Sequence, residues 1–171
     1  MNTLILNADY SPLDIRHFSR VIHRPSFTVV KWYDKTIRDG RGNTYKVPAV
    51  VVIKKHVKSI YRPAKFSKRN VYIRDNFTCQ YTGRQYNRSE LTIDHVVPKS
   101  RLRVGFSTYE NTVVCHRTVN RRKANKTPEE VGLKLIRPPR TVTVQELLLL
   151  KLQQYKCPHW EEYINVKQEK K

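Results

Sequence analysis

The apolar residues of this chain occur in short runs of strand length, and these runs limit the possible folds more than any other feature. β-Branched and aromatic residues dominate the runs, and turn-like clusters at 7–12 and 39–43 separate them. The runs in the first third of the chain are Thr3–Leu6, Val21–Ile22, Ser26–Tyr33 and Lys46–Ile53. No stretch of about 18 apolar residues occurs, so the sequence predicts no membrane span. We expect Pro48 at the start of its strand or on an edge, because proline donates no backbone hydrogen bond.

Helical signals appear in the second half of the chain. Thr127, Pro128 and the two acids that follow predict the start of a short helix, which Gly132 ends. A longer helix is expected over 143–156, and the tail 161–171 is expected to be frayed.

Segment 67–72 is polar, and it predicts a hinge between the β-rich region and the centre of the chain. Together these elements predict an α+β fold. Its expected parts are an N-terminal β-rich region over 1–66, a central domain over 67–140, and a C-terminal helix and tail over 141–171.

The chain is strongly basic. Its 34 lysines and arginines face 14 aspartates and glutamates, which gives a net charge of +20 and an isoelectric point near 10.2. Such a surplus favours a polyanionic partner, and nucleic acid is the first candidate because each neutralised phosphate releases counterions. Two alternatives are a solubilising surface and attachment to an anionic membrane.

The three cysteines predict no disulfide framework, because their number is odd. The first residues carry neither a basic segment nor a long apolar segment, so no signal peptide is predicted. Both observations favour a reducing, cytoplasmic location.

The residues that carry chemistry are concentrated between 90 and 120. Leu91–Ile93 predicts a short strand that ends in Asp94 and His95, and Thr112–Val114 predicts a second strand after a long loop. A helix over 116–123 then follows. This order of strand, loop, strand and helix brings Asp94, His95 and Asn120 together.

These residue types suit phosphodiester hydrolysis, which needs a base to deprotonate water and a cation to stabilise the leaving oxygen. His95 qualifies as the base because an ordinary imidazole titrates near 6.5. Asp94 and Asn120 offer hard oxygen ligands that suit Mg²⁺ or Mn²⁺, and Asn111 is a candidate to brace the loop by hydrogen bonds to backbone. The alternative for the Asp94–His95 pair is a structural salt bridge or a capped strand end.

Several spaced segments resemble the HNH endonucleases. They are Val71–Gly83, Leu91–Pro98 (LTIDHVVP), Glu110–Asn111 and Asn120–Pro128 (NRRKANKTP), and the resemblance covers roughly 67–140. Leu4–Leu13 also resembles the leader segment of the bacterial and phage branch of that family.

The resemblance implies a ββα-metal nuclease module and assigns a role to each residue of the constellation. His95 activates the water, Asp94 and Asn120 hold one divalent metal, and Asn111 orients the loop that carries His95. The last motif position is Asn120 rather than a histidine, and its amide still supplies a metal-binding oxygen.

The structural zinc site that often accompanies the family is incomplete here. The corresponding segments are Cys79–Thr82 and Cys115–Thr118, each with one cysteine instead of two. Two thiolates do not complete a four-ligand site, although His116, Cys157 or His159 offer further ligands. We therefore expect no structural zinc, with Cys79 and Cys115 as small buried apolar residues.

Basic residues surround the expected active site, and double-stranded DNA is the expected partner. The candidate DNA contacts are Lys99, Arg101, Arg103, Arg117, Arg121, Arg122 and Lys123. Successive helical residues are about 100° apart, so not all of those on the helix face one ligand, and some instead belong to a solvated face. Two other function classes stay open: an inactive HNH-like protein that only binds nucleic acid, and an RNA-directed factor. A homodimer would account for paired cuts.

Overall fold

A computed structural model describes residues 1–57 and 62–164, and the fold is α+β. Contacts divide the chain into two units, one comprising 1–62 with 151–171 and the other 63–150. These divisions fall at other positions than the boundaries at 66 and 140 expected from the sequence. No helix in the described part of the chain is long and apolar enough to cross a membrane.

The first unit is built on a four-stranded sheet. Its strands are β1 (Asn2–Leu6), β2 (Pro12–His17), β3 (Phe27–Arg38) and β4 (Thr44–Ile53), in the spatial order β2-β1-β4-β3. The β1–β4 pair is parallel, and the other two pairs are antiparallel. The strands expected from the runs at 3–6, 26–33 and 46–53 are thus confirmed.

Two details of this sheet differ from expectation. Val21 and Ile22, expected in a strand, form a turn after the 3-10 helix Phe18–Arg20. The apolar side chain of Val21 packs in the core, where the residue is 3% exposed. Pro48 lies inside β4, but β1 pairs only with Val50–Val52, so one side of Pro48 is an edge. The missing N–H of this proline therefore costs no ladder hydrogen bond to β1.

In the second unit, the expected hinge at 67–72 is wrong, because Lys68–Arg74 forms helix α1. The Ser67 side chain accepts a hydrogen bond from the Asn70 amide, as an N-cap residue does. Val71 and its two successors are buried in the core. The polar residues thus form the cap and the exposed first turn of a helix anchored by its apolar end.

The next elements follow the order expected from the sequence. Strands β5 (Leu91–His95) and β6 (Thr112–His116) pair antiparallel, and helix α2 (Arg117–Lys123) begins directly after β6. His116 caps α2 by accepting a hydrogen bond from the Thr118 amide. The core beneath the hairpin contains Leu91 and Val114.

Arg74 and Asp75 tie α1 to β6. Their side chains form a buried ion pair at 2.7 Å, and Asp75 Oδ2 accepts a hydrogen bond from the Val114 amide. Arg74 also donates to the carbonyl oxygens of Tyr109 and Thr112. This pair fixes the strand that leads into α2.

The remaining elements are short except one. The helix expected near Thr127 is the single 3-10 turn Glu129–Val131, ended by Gly132 at φ 66°. The helix expected over 143–156 is confirmed as α3 (Val144–Tyr155). A 3-10 turn at Pro158–Trp160 leads to α4 (Glu161–Ile164), so the first residues of the expected tail are helical. The rest of that tail, 165–171, lies outside the described residues.

Candidate active site

The last two residues of β5, Asp94 and His95, point to opposite faces of the strand. Asp94 pairs across the hairpin with Val113, and His95 with Thr112. Because side chains alternate along a strand, Asp94 turns inward and is 4% exposed, whereas His95 is half-buried and lines an open cleft.

Two donors hold the Asp94 carboxylate. The Tyr81 hydroxyl donates to Oδ2 at 2.6 Å, and the Lys123 ammonium donates to Oδ1 at 3.1 Å. Burial and the hydrogen bond to Asp94 both raise the pKa of Tyr81, so its hydroxyl keeps the proton that it donates. The carboxylate is therefore fixed in one orientation.

Lys123 is fully buried, at 0% exposure. Its ammonium also donates to the His95 carbonyl oxygen at 2.7 Å. The expectation that Lys123 contacts DNA is therefore wrong, because its charge is directed into the protein. The sequence pattern did not reveal this, since lysine is almost never fully buried unless it is paired.

His95 is suited to act as a base. Burial, together with the cation of Lys99, holds the pKa of His95 below its ordinary value of 6.5. The imidazole is therefore neutral near pH 7. Its Nε2 lies 3.2 Å from the Ser107 hydroxyl oxygen, so an oxygen atom reaches this nitrogen from the open side.

Asn111 fastens both ends of the loop that follows β5. Its Oδ1 accepts a hydrogen bond from the Val97 amide at 2.8 Å, and its Nδ2 donates to the carbonyl oxygens of Val97 and Phe106 at 3.1 and 3.0 Å. The Asn111 side chain is 9% exposed. These bonds are those of a residue that braces the loop behind His95.

Asn120 lies half-buried on α2, three residues before Lys123. Residues three apart share one face of a helix, and that face meets the end of β5 through Lys123. Within 1–57 and 62–164, the Asn120 side chain forms no hydrogen bond, so its amide oxygen keeps its acceptor capacity. Each Asp94 oxygen has one donor and retains room for a second partner.

This donor set fits a hard divalent cation, because it offers one carboxylate and one free amide oxygen. In the described part of the chain, no group of three histidine, cysteine, aspartate or glutamate residues is placed to hold a metal. Any site here therefore depends on the amide and on oxygens from water or substrate.

Residues 79–129 match the sequence model of the HNH endonuclease family. This segment includes Asp94, His95, Asn111 and Asn120. The chain contains an HNH endonuclease domain. Comparison with curated proteins gave no match. The match extends over the hairpin and α2, but not over the sheet of the first unit.

A basic cleft of about 430 Å³ lies along one face of β5 in the unit that holds the HNH domain. His95 lines it together with four cationic side chains. These are Lys68, Arg88, Lys99 and Arg117. Sequence reasoning missed the first two, because Lys68 lies in the segment interpreted as a hinge and Arg88 belongs to no motif.

The remaining candidate DNA contacts of the HNH domain are exposed and differ in their partners. Arg101 forms a two-point ion pair with Glu130, with both contacts at 2.8 Å. Arg103, Arg121 and Arg122 are exposed to solvent. Their contacts with DNA stay a prediction.

The cysteines of the HNH domain face its core. Cys79 and Cys115 are each 0% exposed and belong to one apolar cluster. Burial raises the pKa of the Cys115 thiol, which disfavours the thiolate that binds zinc. Both residues pack as small apolar side chains.

Proposed function

We propose that this protein is a divalent-metal-dependent endonuclease that hydrolyses DNA phosphodiester bonds, with His95 as the general base. The observation that carries the proposal is the pair at the end of β5. A neutral imidazole faces a basic cleft, and a fixed carboxylate lies directly behind it.

His95 would take the proton of the attacking water at Nε2. A general base must approach the proton that it abstracts within about 2.6–3.2 Å. Nε2 contacts the Ser107 hydroxyl at 3.2 Å, and the attacking water would take the place of that hydroxyl. Asn111 supports this geometry by holding the loop that begins one residue after His95.

Asp94 and Asn120 would hold one Mg²⁺ or Mn²⁺. When bound, such an ion supplies positive charge that stabilises the leaving oxygen. Tyr81 and Lys123 each donate one hydrogen bond to the Asp94 carboxylate, which supports a fixed position for this ligand. Two protein ligands make a weak site, so we expect firm binding only when a substrate phosphate adds its own oxygen.

The net charge of +20 and the cationic cleft support double-stranded DNA as the substrate. A homodimer and a cytoplasmic location remain predictions from the sequence. The resemblance of Leu4–Leu13 to a bacterial and phage leader segment likewise stays a prediction.

A plasmid-nicking assay tests the proposal. We expect nicking with Mg²⁺ or Mn²⁺ and none with EDTA. His95→Ala should slow nicking by roughly 10²- to 10⁴-fold, the usual contribution of a general base, while DNA binding persists.

His23→Ala is the matched control, because His23 is an exposed histidine of the other unit. It should nick like the wild type. Equal nicking by the His95 and His23 variants would overturn the role of His95. DNA binding without any nicking by the wild type would instead support the binding-only alternative.

A further inference from the structure

The cleft beside His95 runs along β5, with Leu91 near one end and His95 near the other. Arg117 lies at the Leu91 end, because its amide donates to the Glu90 carbonyl oxygen at 3.0 Å. Arg88 precedes Leu91 by three residues and lines the same cleft. With about 3.3 Å per strand residue, the backbone at Leu91 lies roughly 13 Å from that at His95.

The other two cations belong to the His95 end. Lys99 follows β5 by four residues, and both Lys99 and Lys68 lower the pKa of His95. The charge of the cleft is thus divided between a pair near the base and a pair of arginines farther along the strand.

Arg88 is held in place before any ligand binds. Its guanidinium lies 3.6 Å from the centre of the Tyr72 ring, and Tyr72 is itself only 4% exposed. Such a stacked guanidinium loses little freedom when it binds an anion and keeps its planar donors available.

The cleft is lined by positive charge alone in the part of the chain that the structure describes. Among the described residues, none of its four cations forms an ion pair, whereas Arg74, Arg101 and Arg140 each pair with an acid. No described residue that lines the cleft is acidic. Four cations along one cleft repel one another, and an anion in the cleft relieves that repulsion.

We propose that Arg88 and Arg117 form a clamp for a non-scissile phosphate of the strand that His95 cleaves. The identity of that strand as substrate rests on the proposed function, but binding of the phosphodiester to the clamp does not depend on cleavage or on metal. The distance along β5 makes this phosphate a different one from that at the base. The clamp would set how far the strand extends past the reacting bond.

The test uses the full chain with His95→Ala as background, in EDTA, so that binding is measured without cleavage. The probe is a fluorescein-labelled DNA duplex, and its anisotropy is titrated at several salt concentrations. Loss of one phosphate contact lowers the salt slope by about 0.9, which corresponds to roughly five- to tenfold weaker binding at 0.1 M salt.

Arg88→Gln and Arg117→Gln should each show that loss. Arg84→Gln is the matched control, because Arg84 is exposed in the same loop as Arg88 and does not line the cleft. It should retain nearly the full slope. Arg88→Lys keeps the charge but loses the planar stack, so it should fall between the wild type and Arg88→Gln.

Equal effects of Arg84→Gln and Arg88→Gln would overturn the clamp, since general charge loss would then explain both. If the wild type also nicks plasmid, the clamp alone fails and the proposed function stands. If the wild type does not nick but the clamp variants lose the slope, the clamp stands and the proposed function fails. Circular dichroism of each variant establishes that the fold is retained.

Discussion

The Lys123 ammonium lies 3.1 Å from Asp94 Oδ1 and 2.7 Å from the carbonyl oxygen of His95. One buried cation therefore holds the side chain of one residue and the backbone of the next. Both lie at the end of β5, so Lys123 fixes the candidate metal ligand and the candidate base together.

Replacing Lys123 should destabilise the protein strongly. Lys123→Met leaves the Asp94 carboxylate buried without its cation, and breaking a buried pair in this way costs about 3–5 kcal/mol. Urea unfolding measures the loss. The exposed Lys126→Met is the control, and its effect should stay within about 0.5 kcal/mol. Similar unfolding midpoints for the two variants would contradict the buried pair.

The same variant offers a readout for the metal site. Without the ammonium, no cation of the protein competes with a divalent ion for the Asp94 carboxylate. A large excess of Mn²⁺ should therefore raise the melting temperature of Lys123→Met more than that of the wild type, because even a weakly bound ligand stabilises the folded state when its concentration exceeds its Kd. An equal shift in both proteins would argue against Asp94 as a metal ligand.

The pH dependence of cleavage should follow His95. Burial is the largest cause of its lowered pKa; Lys99, Lys123 and Lys68 act in the same direction, and Asp94 opposes them. A base must be neutral, so activity should be lost only as the pH falls below the ordinary value of 6.5. A bound divalent ion acts in the same direction as the lysines.

The midpoint of kcat/KM against pH measures this pKa. Lys99→Gln removes one of the cations and should move the acidic limb to higher pH. An unchanged or lower midpoint in this variant would show that Lys99 does not set the pKa of His95.

Asn111→Ala should slow catalysis more than it weakens substrate binding. The change removes three hydrogen bonds that hold the loop after His95, at roughly 1 kcal/mol each in stability. We expect a large fall in kcat with little change in KM. The exposed Asn87→Ala should leave both unchanged, and a pure KM effect of Asn111→Ala would indicate a binding role instead.

Ala124→Gly should stabilise the protein. Ala124 ends α2 at φ 50° and ψ −129°, a conformation that favours glycine. Relief of backbone strain of about 1–3 kcal/mol outweighs the roughly 0.5–1 kcal/mol of added chain entropy, so the net gain is about 1 kcal/mol. Ala8→Gly, at a residue without positive φ, should lower stability in the same urea assay.

The hairpin and α2 could be predicted because their signals are local. Alternating apolar residues, the Asp94-His95 pair and a following basic helix are all visible within about thirty residues. Lys123 was misinterpreted because its partner lies 29 positions away and burial of a lysine leaves no mark in the local pattern.

Other features of the site depend on packing alone. The polar start of α1 concealed a helix, since a seven-residue helix has too few turns to show periodicity. Arg88 could not be recognised as a cleft residue from the sequence, because the Tyr72 ring that it stacks on is 16 positions earlier in the chain. The N-terminal sheet, in contrast, followed directly from its apolar runs.

Asp94 and His95 point to opposite faces of β5, so the site depends on the order of these two residues in the sequence. Exchanging the two residues preserves composition, charge and strand propensity, yet it would bury the imidazole against Lys123 and place the carboxylate in the cleft. Inserting one residue into β5 would have the same effect on every side chain beyond it. The loop between the strands tolerates changes of length more readily, because its length does not decide which face of β5 each side chain occupies.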